Sequence, residues 1–221
     1  MSEFVKCLEV AFRSVANEEI MIQQKAYMRG QFKYFGINSA LRNELSKPFL
    51  IKDCLPPKDQ LHALVTELWE KSQREFQYFA QILCRKYVKT FEEKDLILFE
   101  YMIVTKSWWD TIDFIASNLV GPFFKKFPQL RDKAIKKWMA SNNVWLQRTC
   151  LLFQLKYKDD VDRDLLAKLI IELTGSKEFF INKAIGWSLR SYSRVDPGWV
   201  VEFVHSHELS NLSKREALKL L

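Results

Sequence analysis

Glycine and proline are scarce, with 6 of each in 221 residues. Turns are therefore few and strand punctuation is nearly absent, which argues against a fold built from β-strands. Nor does any apolar run approach the roughly 20 residues needed to span a bilayer. The opening residues Met1-Ser2-Glu3-Phe4-Val5-Lys6 do not form a charged-then-apolar secretory signal. A soluble, cytoplasmic protein with no membrane partner is the expectation. Cys7, Cys54, Cys84 and Cys150 make no CxxC pair and lie in apolar surroundings. They read as small buried hydrophobes rather than a disulfide frame or a zinc site. The three histidines, His62, His205 and His207, complete no ligand set with them, so no metal is expected.

What is abundant points to helices. The chain is 48% hydrophobic and rich in Leu, Lys, Glu, Phe and Ile, good helix formers or good helix-packing residues. Helical periodicity predicts segments over 4–16, 18–35 and 39–45, the second stopped by Gly36 and the third capped by Ser39 and ended at Pro48. Pairs follow over 59–71 and 74–89, then over 94–105 and 108–119, the last closed by Gly121-Pro122. Further pairs fall at 130–140 with 144–157 and at 162–174 with 177–192. Pro197 opens a final pair, in which Ser213-Lys214-Arg215-Glu216 reads as a capping box. Net charge is +7, from 34 Lys and Arg against 27 Asp and Glu. That excess favours a polyanion partner if the cations gather on one surface.

The paired segments repeat. Tyr87, Tyr157 and Tyr192 close second helices, and a period of 35 residues carries Tyr78 to Asp113, Asp113 to Arg148 and Arg148 to Lys183. Helix pairs at a fixed period predict an all-α solenoid of about six pairs, one domain over 1–221, whose second helices line a concave wall. One slot of that wall would hold Asp113, Arg148 and Lys183. Trp187 lies one turn beyond Lys183 and Arg190 another turn on, while Trp109 lies one turn before Asp113.

The centre of the pattern is Lys106-Ser107-Trp108-Trp109-Asp110-Thr111-Ile112-Asp113. An aromatic plate beside a carboxylate can hold a cation, or stabilise one that develops in a reaction. The plainer alternative is a core tryptophan with a solvated or capping aspartate. Arg148, Lys156, Lys183 and Arg190 would suit a phosphate backbone. Arg148 sits among apolar neighbours and needs a partner, either Asp113 one repeat earlier or an external phosphate. With one clear carboxylate and no second to protonate a leaving group, glycosidic chemistry would require a base that leaves unaided. A ring-alkylated base already carries the positive charge it needs.

The run 105–113 resembles the central motif of the AlkD family of bacterial alkylpurine DNA glycosylases. Trp145-Leu146-Gln147-Arg148 and the stretch 179–190 resemble its later repeats. Ala26-Tyr27-Met28, Phe35-Gly36-Ile37 and Leu212-Ser213-Lys214-Arg215-Glu216-Ala217 resemble its two ends. The resemblance implies a HEAT-like repeat fold that cradles duplex DNA and excises N3- and N7-alkylated purines. It implies a monomeric, monofunctional enzyme of base excision repair, with no cofactor and no obligate protein partner. On the matching positions it implies Asp113 as the catalytic carboxylate and Trp109 and Trp187 beside the lesion nucleotide. DNA contact is implied for Arg148, and extends to Lys156, Lys183, Arg190, Tyr27, Asn38 and Ser39. The chain departs from the family pattern where it reads Gly36-Ile37-Asn38-Ser39-Ala40 without the usual Thr-Pro, and at Asn182, where Gln is usual. A DNA-structure binder without chemistry and a protein-interaction scaffold are the alternatives of other classes.

Overall fold

The computed structural model describes residues 2–221. Among them there is no β-strand, only an isolated bridge between Lys33 and Gln73, so the all-α expectation holds. None of the described helices is long and apolar enough to cross a membrane. The chain forms two compact units, one ending at Asp95 and one spanning Leu96–Leu221.

The first unit holds α1 (Glu3–Arg13), α2 (Glu18–Tyr27), α3 (Ser39–Ser46), α4 (Leu61–Glu70) and α5 (Arg74–Lys86). Ser2 caps α1 by accepting from the Val5 N–H, and Val5, Leu8 and Phe12 form its buried face. α2 is shorter than its periodicity predicts. It stops at Tyr27, after which Arg29 and Gly30 take positive φ of 54° and 72°. The Gly30 N–H bonds back to the Lys25 carbonyl at 2.8 Å and closes the helix end, while the segment beyond it is held by a tertiary partner. The fully buried Glu75 carboxylate accepts from the backbone N–H groups of Phe35, Gly36 and Ile37 at 3.0 to 3.4 Å. Those donors cannot also serve a helix. Gly36 is thus no helix stop. Its φ is 86°, and a Cβ there would lie 1.9 Å from the Asn17 carbonyl. The cap of α3 is Asn38, which accepts from Leu41 N–H at 2.9 Å, rather than Ser39.

The second unit takes α6 (Asp95–Val104) from Leu96 onward, then α7 (Trp109–Ile115) and a π-turn at Ala116–Val120. It continues with α8 (Gly121–Lys126), α9 (Pro128–Met139), α10 (Val144–Leu152), α11 (Arg163–Glu172), α12 (Phe179–Tyr192), α13 (Pro197–Ser206) and α14 (Asn211–Ala217). Gly121-Pro122, expected to end a helix, instead lies inside a helical run. Pro122 occupies the first turn of α8, directly after the π-turn, and the Gly121 N–H bonds back to Ala116 across that turn. Phe124 packs on Trp138 and on Phe153, with ring centroids 5.7 and 5.4 Å apart, and all three rings are buried.

α10 packs between α7 and α12, and α12 packs on α14. Side-chain hydrogen bonds within the second unit recur at similar sequence separations. Lys137 reaches Glu100 across 37 residues, Tyr157 reaches the Gly121 carbonyl across 36, and Ser191 reaches the Leu155 carbonyl across 36. Cys84 and Cys150 are buried as expected, but Cys7 and Cys54 are exposed. Cys7 lies on the outer flank of α1 and Cys54 in a short 3-10 turn.

Candidate functional site

Three elements of the second unit assemble the site. α7 buries Thr111, Ile112 and Ile115, which leaves Asp113 on its flank toward α10. α10 is started by Asn143, whose side chain accepts from the Trp145 and Leu146 N–H groups. Arg148 lies on its buried face with Leu146, Thr149 and Cys150. α12 supplies Phe180, Lys183, Trp187 and Arg190.

The two partners left open for Arg148 resolve in favour of Asp113. Arg148 Nε donates to Oδ1 at 2.7 Å and Nη2 to Oδ2 at 2.9 Å, a two-pronged pair across 35 residues. Its Nη1 donates to the Phe180 carbonyl. The Arg148 side chain is 1% exposed and that of Asp113 18%. The guanidinium is therefore turned inward, whereas a phosphate contact would need it at the surface. Burial pushes the Asp113 carboxyl above its ordinary value, Asp110 adds to this, and Arg148 opposes it.

Around Trp187 stand three cations. Arg148, Lys183 and Arg190 lie 5.5, 5.9 and 5.8 Å from its ring centroid. Its indole N–H is buried and makes no hydrogen bond among the described residues. Trp109 opens α7 one turn before Asp113 and is half-buried. Asp113, Arg148, Lys183, Trp187 and Arg190 are thus gathered within one unit. Lys156 is exposed, with its amine 2.6 Å from Asn118 Oδ1. Tyr27, Asn38 and Ser39 belong to the first unit, all three exposed, Tyr27 at 73%.

Some neighbours escaped the sequence reading. Trp108, Trp145 and Phe180 form an aromatic triad with centroids 5.0 to 5.7 Å apart, beside the Arg148 pair. The 35-residue period carries Trp145 to Phe180 and could have revealed two of its members. Glu216 accepts from Lys183 at 2.7 Å and Arg190 at 2.8 Å. The sequence pattern makes it half of a capping box, but α14 begins two residues before Ser213 and is capped by Ser210, which frees the Glu216 side chain. Asn182, where Gln is usual, donates to the Ser176 and Glu178 carbonyls and so closes the entry to α12.

The profile of the DNA alkylation repair enzyme family matches residues 8–221 of this sequence. The chain belongs to that family. A solved structure described as a predicted DNA alkylation repair enzyme from Enterococcus faecalis is similar to it, at 35% identity and a TM-score of 0.86. The match covers 93% of this chain and 96% of that one. No curated protein matches. Membership in the DNA alkylation repair family ties the chain to repair of alkylation damage, with DNA as its partner.

Proposed function

We propose that the chain is a monofunctional DNA glycosylase that hydrolyses the N-glycosidic bond of positively charged alkylated purines in duplex DNA. The observation that carries this reading is Asp113, a partly exposed carboxylate locked by Arg148 beside the cation-ringed Trp187. An N3- or N7-alkylated purine takes the bonding electron pair and leaves neutral, so no acid has to protonate it. Positive charge then develops on the sugar, where the Asp113 carboxylate stabilises it and orients the attacking water. Arg148 holds the carboxylate in place, and Trp187 and Trp109 bound the sugar. Lys156, Lys183 and Arg190 meet phosphates, and the exposed Tyr27, Asn38 and Ser39 of the first unit are proposed as DNA contacts in their own right. The packing of α10 between α7 and α12, with bonds recurring near 35 residues, supports HEAT-like helix-pair repeats in the second unit.

A second reading, a DNA binder without chemistry, draws on both Asp113 oxygens being engaged by Arg148. One experiment separates the two. Single-turnover release of 3-methyladenine and 7-methylguanine from defined duplexes is measured for wild type and Asp113→Asn, beside a binding titration. The substitution is expected to slow release about a hundred- to a thousandfold, equivalent to about 3 to 4 kcal/mol, while binding persists. Because it leaves Arg148 buried without a counter-charge, it is assayed well below its melting temperature. Equal release by both proteins, or efficient excision of uncharged uracil by the wild type, ends the glycosylase reading.

A further inference from the structure

We propose that Glu216 on α14 is a positioning residue of the site, holding Lys183 and Arg190 at fixed places around Trp187. The idea rests on the DNA-repair reading only for the nature of the polyanion those cations meet. The two cations lie four residues before and three after Trp187 on α12, so all three share one helical face. Glu216 divides its oxygens between them, Oε1 to Lys183 Nζ at 2.7 Å and Oε2 to Arg190 Nη1 at 2.8 Å. Its side chain is 8% exposed, while Lys183 and Arg190 keep 25% and 22%. The carboxylate is withdrawn from water and the cations are not, so each retains donors for an incoming phosphate.

The backbone beneath Glu216 is held as tightly. Gly186, adjacent to Trp187, touches α14 so closely that a Cβ would lie 2.5 Å from Glu216 Cβ and 2.9 Å from the Ser213 carbonyl. Ser213 Oγ donates to the Asn182 carbonyl at 2.8 Å, tying α14 to α12 one turn earlier. Glu216 does not serve its own helix, which Ser210 caps. Locally, three cations around Trp187 face two carboxylates, Asp113 and Glu216, leaving one net positive charge. Without Glu216 the net charge rises to two, and Lys183 and Arg190 repel one another while their long side chains are free to wander.

Affinity and chemistry should therefore move in opposite directions in Glu216→Gln. Binding to undamaged duplex is expected to tighten at low salt, with a salt slope steeper by about 0.9, one ion's worth. Single-turnover base release is expected to fall roughly tenfold to a hundredfold, because the groups beside the reacting sugar lose their placement. The indole ¹⁵N–¹H signal of Trp187, assigned with Trp187→Phe, is expected to shift in the DNA-free protein. A residue needed only for stability would weaken binding and chemistry together and lower the melting temperature. Glu216→Asp keeps the charge but withdraws it by one methylene. It is expected to keep the wild-type slope while slowing release and moving the indole signal. A wild-type indole signal and slope in folded Glu216→Gln, or a wild-type indole signal and rate in Glu216→Asp, overturns the proposal. A wild type that releases no alkylated base ends the glycosylase reading alone, since the salt and indole measurements still judge Glu216.

Discussion

Asp113 and Glu216 both sit in ion pairs, yet their surroundings push them in opposite directions. Lys183 and then Arg190 hold the Glu216 carboxyl below its ordinary value, whereas burial holds Asp113 above it. The lowered group stabilises the fold above its unfolded value, and that contribution is lost as pH falls through the folded one. For Asp113 the sign reverses. Its contribution is fully present below the unfolded value and is lost as pH rises through the folded one. Catalysis needs the ionised form, so base release should decline on acidification already above the usual carboxylate range. A single-turnover pH profile checks this, and the residual activity of Asp113→Asn should lack that limb. A wild-type rate that stays flat down to the ordinary aspartate range would show that burial does not govern Asp113.

At the scale of elements, the differences from sequence pattern arise where the chain leaves or continues a helix by a turn that apolar spacing does not mark. Periodicity alone extends α2 to residue 35, but the chain turns out of the helix at Arg29 and Gly30, and Glu75 then holds the N–H groups of 35–37. Gly-Pro alone predicts a break at 121–122, but the π-turn carries the chain through it. The glycine matters there for closeness rather than for flexibility. A Cβ on Gly121 would lie 2.4 Å from the Phe153 carbonyl, and the Gly121 carbonyl accepts from Tyr157 Oη at 2.7 Å. Gly121→Ala should therefore push the end of α10 away from the π-turn. The expected cost is about 1 to 3 kcal/mol, in the range of overpacked sites, measured by denaturant unfolding. An unchanged midpoint would mean that the contact yields freely.

For the whole molecule, the net charge of +7 matters only through where the cations stand. Arg148 is spent internally, and Lys183 and Arg190 are half-neutralised by Glu216, while Lys156 remains exposed with a neutral partner. Lys156→Ala should therefore reduce the salt slope of duplex binding by about 0.9. A slope equal to wild type would place Lys156 away from the DNA.

The local pattern was enough to determine that this chain is helical and where most of its helices lie. Those properties depend on neighbours a few residues away. Which partner Arg148 takes, and where Glu216 points, were decided only by the packing of α7 against α10 and of α14 against α12. The same holds for the clamp of Glu75 on 35–37 and the cap at Asn38 rather than Ser39. An ion pair is made or missed within a few tenths of an ångström, and a cap within a single residue. Distances of that kind follow from how side chains fill the space between helices 30 or more residues apart, which no local periodicity encodes.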